Sequence, residues 1–60
     1  MHEAYLGYVL DIVQYGDRLL LYINGIQVWE EMYPQNRSEE SLLQLGRELV
    51  DLIESIKVYS

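Results

Sequence analysis

Sixty residues with ten acidic and four basic side chains give a formal net charge of -6. That charge repels nucleic-acid phosphates and anionic lipid headgroups, so no direct nucleic-acid or membrane binding is expected. There is no cysteine and only one histidine, His2, which excludes disulfides, thiolate metal sites and a Cys nucleophile, and leaves no expected metal or cofactor.

The N-terminal half reads as strands, over about residues 5–15, 18–24 and 26–30, each rich in Val, Ile, Leu and Tyr with turn residues between them. Asn24-Gly25 is the strongest turn signal, because both residues tolerate the positive φ that a two-residue hairpin loop requires. Gly16-Asp17 is a weaker turn signal and marks the first hairpin of the meander. With two-residue loops, counting pairs Ile12 with Leu21, Leu10 with Ile23, Val13 with Leu20, Ile23 with Ile26, Leu21 with Val28 and Leu19 with Glu30. Side chains alternate across a sheet. One face therefore collects Leu6, Tyr8, Leu10, Ile12, Leu19, Leu21, Ile23, Ile26 and Val28, a core-forming set. The other collects Tyr5, Val9, Val13, Tyr15, Leu20, Tyr22 and Trp29, with Asp11, Gln27 and Glu31 among them. That second face is too apolar to be meant only for water.

The C-terminal third reads as one amphipathic helix, about residues 38–55. Asn36 or Ser38 caps its start, Asn36 with Glu39 fits a capping box, and Glu39 and Glu40 oppose the positive dipole end. Leu42, Leu45, Leu49, Leu52 and Ile56 recur at alternating spacings of three and four, with Ile53 adjoining. Leu43, Gly46 and Val50 widen this stripe on one flank. Glu40, Gln44, Arg47, Asp51 and Glu54 fall opposite, where Arg47 and Asp51 have ion-pair spacing. Residues 56–60 either finish the helix or form a short edge strand. The expected fold is a single α+β domain: a small antiparallel sheet, a three-stranded meander with room for a short fourth strand, packed on one C-terminal helix.

Both elements carry more apolar surface than one sheet-on-helix core consumes, and a domain this small gains little margin from burial alone. A homodimer is therefore expected, with Val13, Leu20, Tyr22, Leu43 and Val50 at its interface. The carboxylates lack a cleft, a histidine partner and the spacing of a calcium loop, so the chain is not expected to be an enzyme. Its chemistry is concentrated in Ile26 to Asn36. Trp29, Glu30, Glu31, Met32 and Tyr33 combine aromatic anchors with acids, the composition of an interface hot spot. No run approaches membrane-spanning length and no signal-peptide pattern opens the chain, so the cytoplasm is the expected compartment.

Tyr22-Ile23-Asn24-Gly25-Ile26, followed by aromatic-Glu-x-aliphatic-Tyr at Trp29 to Tyr33, resembles the small acidic Bacillus-phage inhibitors of uracil-DNA glycosylase, over roughly residues 8–36. Glu54-Ser55-Ile56 is similar to a Glu-Ser-Ile motif in structurally different inhibitors of the same enzyme. The resemblance implies a DNA-mimicking dimer in the host cytoplasm, whose carboxylates line the enzyme's phosphate-binding groove while an apolar pocket captures its intercalating leucine. On that reading Trp29 helps form the leucine-capturing surface, Glu30 is the acid beside it, Tyr33 lies at the rim, and Glu54 engages the DNA-binding surface. Glu31 stands where the family pattern is apolar, and beyond Asn36 this chain is longer, with a fuller helix. Two alternatives use the same composition: inhibition of another nucleic-acid enzyme such as a CRISPR nuclease, and a structural or regulatory homodimer of the antitoxin or assembly-subunit kind.

Overall fold

The computed structural model describes residues 1–32 and 38–59. Four strands and a helix follow in chain order: β1 (His2–Tyr5), β2 (Tyr8–Tyr15), β3 (Arg18–Ile23), β4 (Ile26–Met32) and α1 (Glu39–Tyr59). The strands form one antiparallel sheet in the order β1-β2-β3-β4, and α1 packs on β2 and β3. This is the expected α+β class, with a small sheet on a C-terminal helix.

The fourth strand comes from the N-terminus. The stretch expected as one strand from residue 5 breaks at Leu6-Gly7, where φ is 51° and 84°, and β1 folds back so that Tyr5 pairs with Tyr8 and His2 with Asp11. Two positive φ values in a two-residue loop are the signature of the turn whose twist matches a hairpin. Asn24-Gly25 has the same pattern, at 53° and 82°. Asn24 also ties the β3–β4 turn to β2: its Oδ1 accepts from the Val9 amide at 2.9 Å and its own amide donates to the Val9 carbonyl at 2.8 Å. Leu6, expected in the core, is instead a turn residue, 61% exposed. Tyr5, expected on the outer face, shares the helix side with its partner Tyr8.

The β2–β3 register is the expected one throughout, with Leu10 opposite Ile23, Ile12 opposite Leu21 and Val13 opposite Leu20. In β3–β4 it holds only for Ile23–Ile26 and Tyr22–Gln27. A bulge then shifts the ladder, so that Leu21 faces Trp29, Leu20 faces Glu30 and Leu19 faces Glu31. The expected pairs Leu21–Val28 and Leu19–Glu30 do not form. One extra residue on one strand transfers everything beyond it to the opposite face. Trp29 and Glu31 consequently lie on the helix side, and Glu30 and Met32 on the outer side, the reverse of the simple count.

Ser38 caps α1, its Oγ accepting from the Ser41 amide at 3.2 Å; the alternative cap, Asn36, lies outside the described residues. The helix runs on to Tyr59, so residues 56–59 finish the helix and do not form an edge strand. Its rotation differs from expectation. Leu42, Leu43 and Val50 are buried against Leu10, Ile12, Leu19, Leu21 and Ile23, while Leu45 and Leu49 are only partly buried and Leu52 and Ile56 are exposed. The supposed flank of the stripe is thus its centre, and Leu43 and Val50, expected at a dimer interface, are buried in the chain's own core. Gly46 explains the choice. A Cβ there would stand 3.2 Å from Leu21 Cδ1 and 3.4 Å from Leu10 Cδ1, so glycine lets the helix axis settle on the sheet.

Polar clasps complete the docking along β1 and β2. Arg47 donates to both carboxylate oxygens of Glu3, at 2.7 and 2.6 Å, and to Gln44. Asp51 accepts from the Tyr5 hydroxyl at 2.9 Å. Arg47 thus binds the sheet in place of the expected i,i+4 partner Asp51. The Arg47 hydrogen bonds hold the Glu3 carboxyl below its ordinary pKa. At the far end Lys57 donates to the Tyr8 hydroxyl at 2.7 Å and lies over its ring.

Candidate protein-binding surface

Among the described residues nothing covers the side of the sheet away from α1. Alternation and register place three cross-strand rows on it: Asp11–Tyr22–Gln27, Val13–Leu20–Glu30 and Tyr15–Arg18–Met32. Leu20, Tyr22 and Met32 are half-buried by their neighbours, while Val13 and Tyr15 are exposed. The centre is therefore an apolar strip, Val13–Leu20–Tyr22, with Asp11 at one end and Glu30 beside it. A shallow depression of about 470 Å³ lies at the strip's edge, lined by Tyr15, Asp17, Arg18, Leu20, Gln27 and Glu30.

The charges on this face are held loosely. Arg18 donates to Glu30 at 2.5 Å and His2 Nδ1 lies 2.8 Å from Asp11 Oδ1. Both pairs are well exposed, and exposed pairs of this kind contribute little stability because solvent screens them. An incoming cation can exchange with Arg18 at Glu30 at small cost.

The structure re-sorts the residues singled out in the sequence. Val13, Leu20 and Tyr22 come together as expected, and Glu30 and Met32 join them on the same face. Trp29 and Glu31 go to the other side, where the indole Nε1 donates to Glu31 Oε1 at 2.9 Å. That contact gives Glu31 a local role, orienting the only tryptophan. Trp29 and Glu30, neighbours in sequence, point to opposite sides and cannot form one site on one face. Glu54 stands apart from both. It lies 3.6 Å from Lys57, which reaches Tyr8 on β2, with β3 between that strand and β4. Tyr33 lies outside the described residues. Sequence reasoning missed Arg18 as a member of the face. Its parity with Leu20 and Tyr22 was the available signal.

Elsewhere the means for chemistry are sparse. Among the described residues no three His, Asp or Glu side chains gather as metal ligands, and no helix is long and apolar enough to cross a membrane. A second open depression, about 550 Å³, lies between β1 and α1 beside His2, Glu40, Leu43 and Gln44, and its strongest charges, Glu3 and Arg47, already satisfy each other. What the uncovered face offers is recognition: apolar contact at the centre and exchangeable carboxylates beside it. Compared with known proteins, the chain matches no family, no curated protein and no solved structure.

Proposed function

We propose that this chain is a binding module that blocks the basic, nucleic-acid-binding surface of a DNA-processing enzyme, with uracil-DNA glycosylase as the specific target. The observation that carries the reading is the uncovered Val13–Leu20–Tyr22 strip, with Asp11 and Glu30 beside it, on a chain of net charge -6. The charge steers the protein toward a basic groove and accelerates encounter. The apolar strip then supplies contact area, as the buried centre of an interface does, with the acids in its polar surround. A rigid sheet presents these carboxylates without the cost of bending DNA or extruding a base, so it competes well with the natural ligand.

The structure modifies the pattern implied by resemblance. Glu30 lies on the uncovered face proposed to bind, while Trp29 lies on the helix side and does not share that face. The test is uracil excision from DNA by the purified glycosylase with the protein in micromolar excess. Inhibition that weakens markedly as salt rises is expected, because screening removes steering between exposed charges. Unchanged excision at every salt concentration would eliminate the glycosylase as the target.

A further inference from the structure

We infer that a second copy of this chain docks on the other uncovered apolar surface, the step between α1 and β4. Leu42, Leu45, Leu49, Leu52 and Ile56 have alternating three- and four-residue spacing, the repeat by which one helix packs along another. The sheet does not consume this seam. Leu42 is buried in the core, Leu45 and Leu49 are only partly buried, and Leu52 and Ile56 remain 57% and 59% exposed. The helix has two working sides, one fitted to the sheet through Gly46 and one left open.

The floor of the step is β4. Because α1 lies over β2 and β3, no described residue covers the helix side of β4: Ile26 is 68% exposed and Trp29 40%. The bulge places Trp29 there, opposite Leu21, and Glu31 fixes the indole. A four-stranded sheet is about 15–20 Å wide and a helix about 10 Å across, so a second helix fits beside the first.

Three observations make the occupant another copy of this chain. The helix seam carries no charge, and the one carboxylate on the β4 floor, Glu31, is engaged by the Trp29 indole, so two acidic chains press few carboxylates together there. The size is also adequate. Covering Ile26, Val28, Trp29, Leu52 and Ile56 on both copies removes on the order of 1,000 Å² from water, where specific interfaces begin. Finally, the protomer's own core has eight buried hydrophobic side chains, while eleven large ones are exposed among the described residues. A small domain with that balance needs permanent cover, which a twin supplies whenever the chain is made. A two-fold pair with each α1 beside its mate and over the mate's Trp29 satisfies both copies identically. This dimer uses the side opposite the proposed target-binding face, so either reading can fail without the other.

Sedimentation equilibrium at high micromolar concentration tests the inference, on the wild type, L52E/I56E and V13E/Y15E. The wild type and V13E/Y15E are expected at twice the 7.1 kDa protomer mass, and L52E/I56E at the protomer mass with Trp29 emission shifted to the red. Diluting the wild type gives the same red shift and covers the case in which L52E/I56E fails to fold. A wild type at protomer mass, a dimer that survives L52E/I56E, or one lost only in V13E/Y15E overturns it.

Discussion

Leu21 stands directly opposite Trp29 across β3 and β4, although the next pair toward the turn is Tyr22–Gln27. Two residue steps on β4 therefore match one on β3, and Val28 is the extra residue. Removing Val28 should restore a regular ladder while keeping Trp29 opposite Leu21 and Glu30 opposite Leu20. Urea denaturation should show a loss below about 1 kcal/mol, the scale of one partly exposed Val side chain. Removing Glu30 instead sends Glu31 and Met32 to the wrong faces, and the Trp29 emission spectrum should report the loss of its Glu31 partner.

A second prediction concerns the first turn. Leu6 adopts a φ of 51°, and left-handed backbone costs a residue with an ordinary side chain about 1–2 kcal/mol. Its side chain contributes little there, being largely exposed. Leu6→Asn creates the Asn-Gly pair that the β3–β4 hairpin already uses and should raise stability by about 1 kcal/mol. A lower urea midpoint for this variant would contradict the assigned turn.

Gly46 sets how closely the helix lies on the sheet. Gly46→Val forces a branched side chain against Leu21 and Leu10, and overpacking of this kind should cost about 1–3 kcal/mol. Leu21→Ala acts in the other direction, leaving a void under the helix, and should cost about 2–5 kcal/mol. Chemical denaturation of the two variants checks both. Equal stability of Gly46→Val and the wild type would mean that the helix does not rest where the glycine places it.

The Glu3–Arg47 and Tyr5–Asp51 contacts predict opposite pH dependences. Arg47 lowers the folded pKa of Glu3. Its contribution is complete above the unfolded carboxylate value, about 4.3, and is lost as pH falls through the lower folded value. The hydrogen bond to Asp51 raises the folded pKa of Tyr5, so that contribution is present below the ordinary tyrosine value of about 10 and disappears as pH rises through the folded one. Urea midpoints followed against pH should therefore decline at both ends. Glu3→Gln should flatten the acid limb and Tyr5→Phe the alkaline limb.

Much of this architecture is legible in the chain. Asn24-Gly25 announces the β3–β4 hairpin, and alternation from Leu10 to Ile23 defines the central register and five of the core side chains. Three features are not, each for a local physical reason. Leu6 is a poor turn former, so Gly7 alone marks the break that creates β1. The bulge at Val28 costs one residue and leaves the pattern of apolar types intact, yet it exchanges Trp29 with Glu30 between faces. Along α1, two apolar seams share one helix, and only the space at Gly46 decides which meets the sheet. The candidate site suffers from the second of these. Val13, Leu20 and Tyr22 follow from parity, while the aromatic-acidic segment divides between two faces.

The central claim is that the uncovered sheet face engages a basic DNA-binding surface. Competition for uracil-DNA glycosylase tests it most directly, by fluorescence anisotropy of a labelled uracil-containing duplex titrated with wild type, L20A/Y22A and D11N/E30Q. The expected result is that the wild type displaces the duplex, that L20A/Y22A does so at least about tenfold less well, on the scale of one or two interface anchors, and that D11N/E30Q shows a weaker salt dependence than the wild type. Failure of the wild type to displace the duplex, or full displacement by L20A/Y22A, would contradict it.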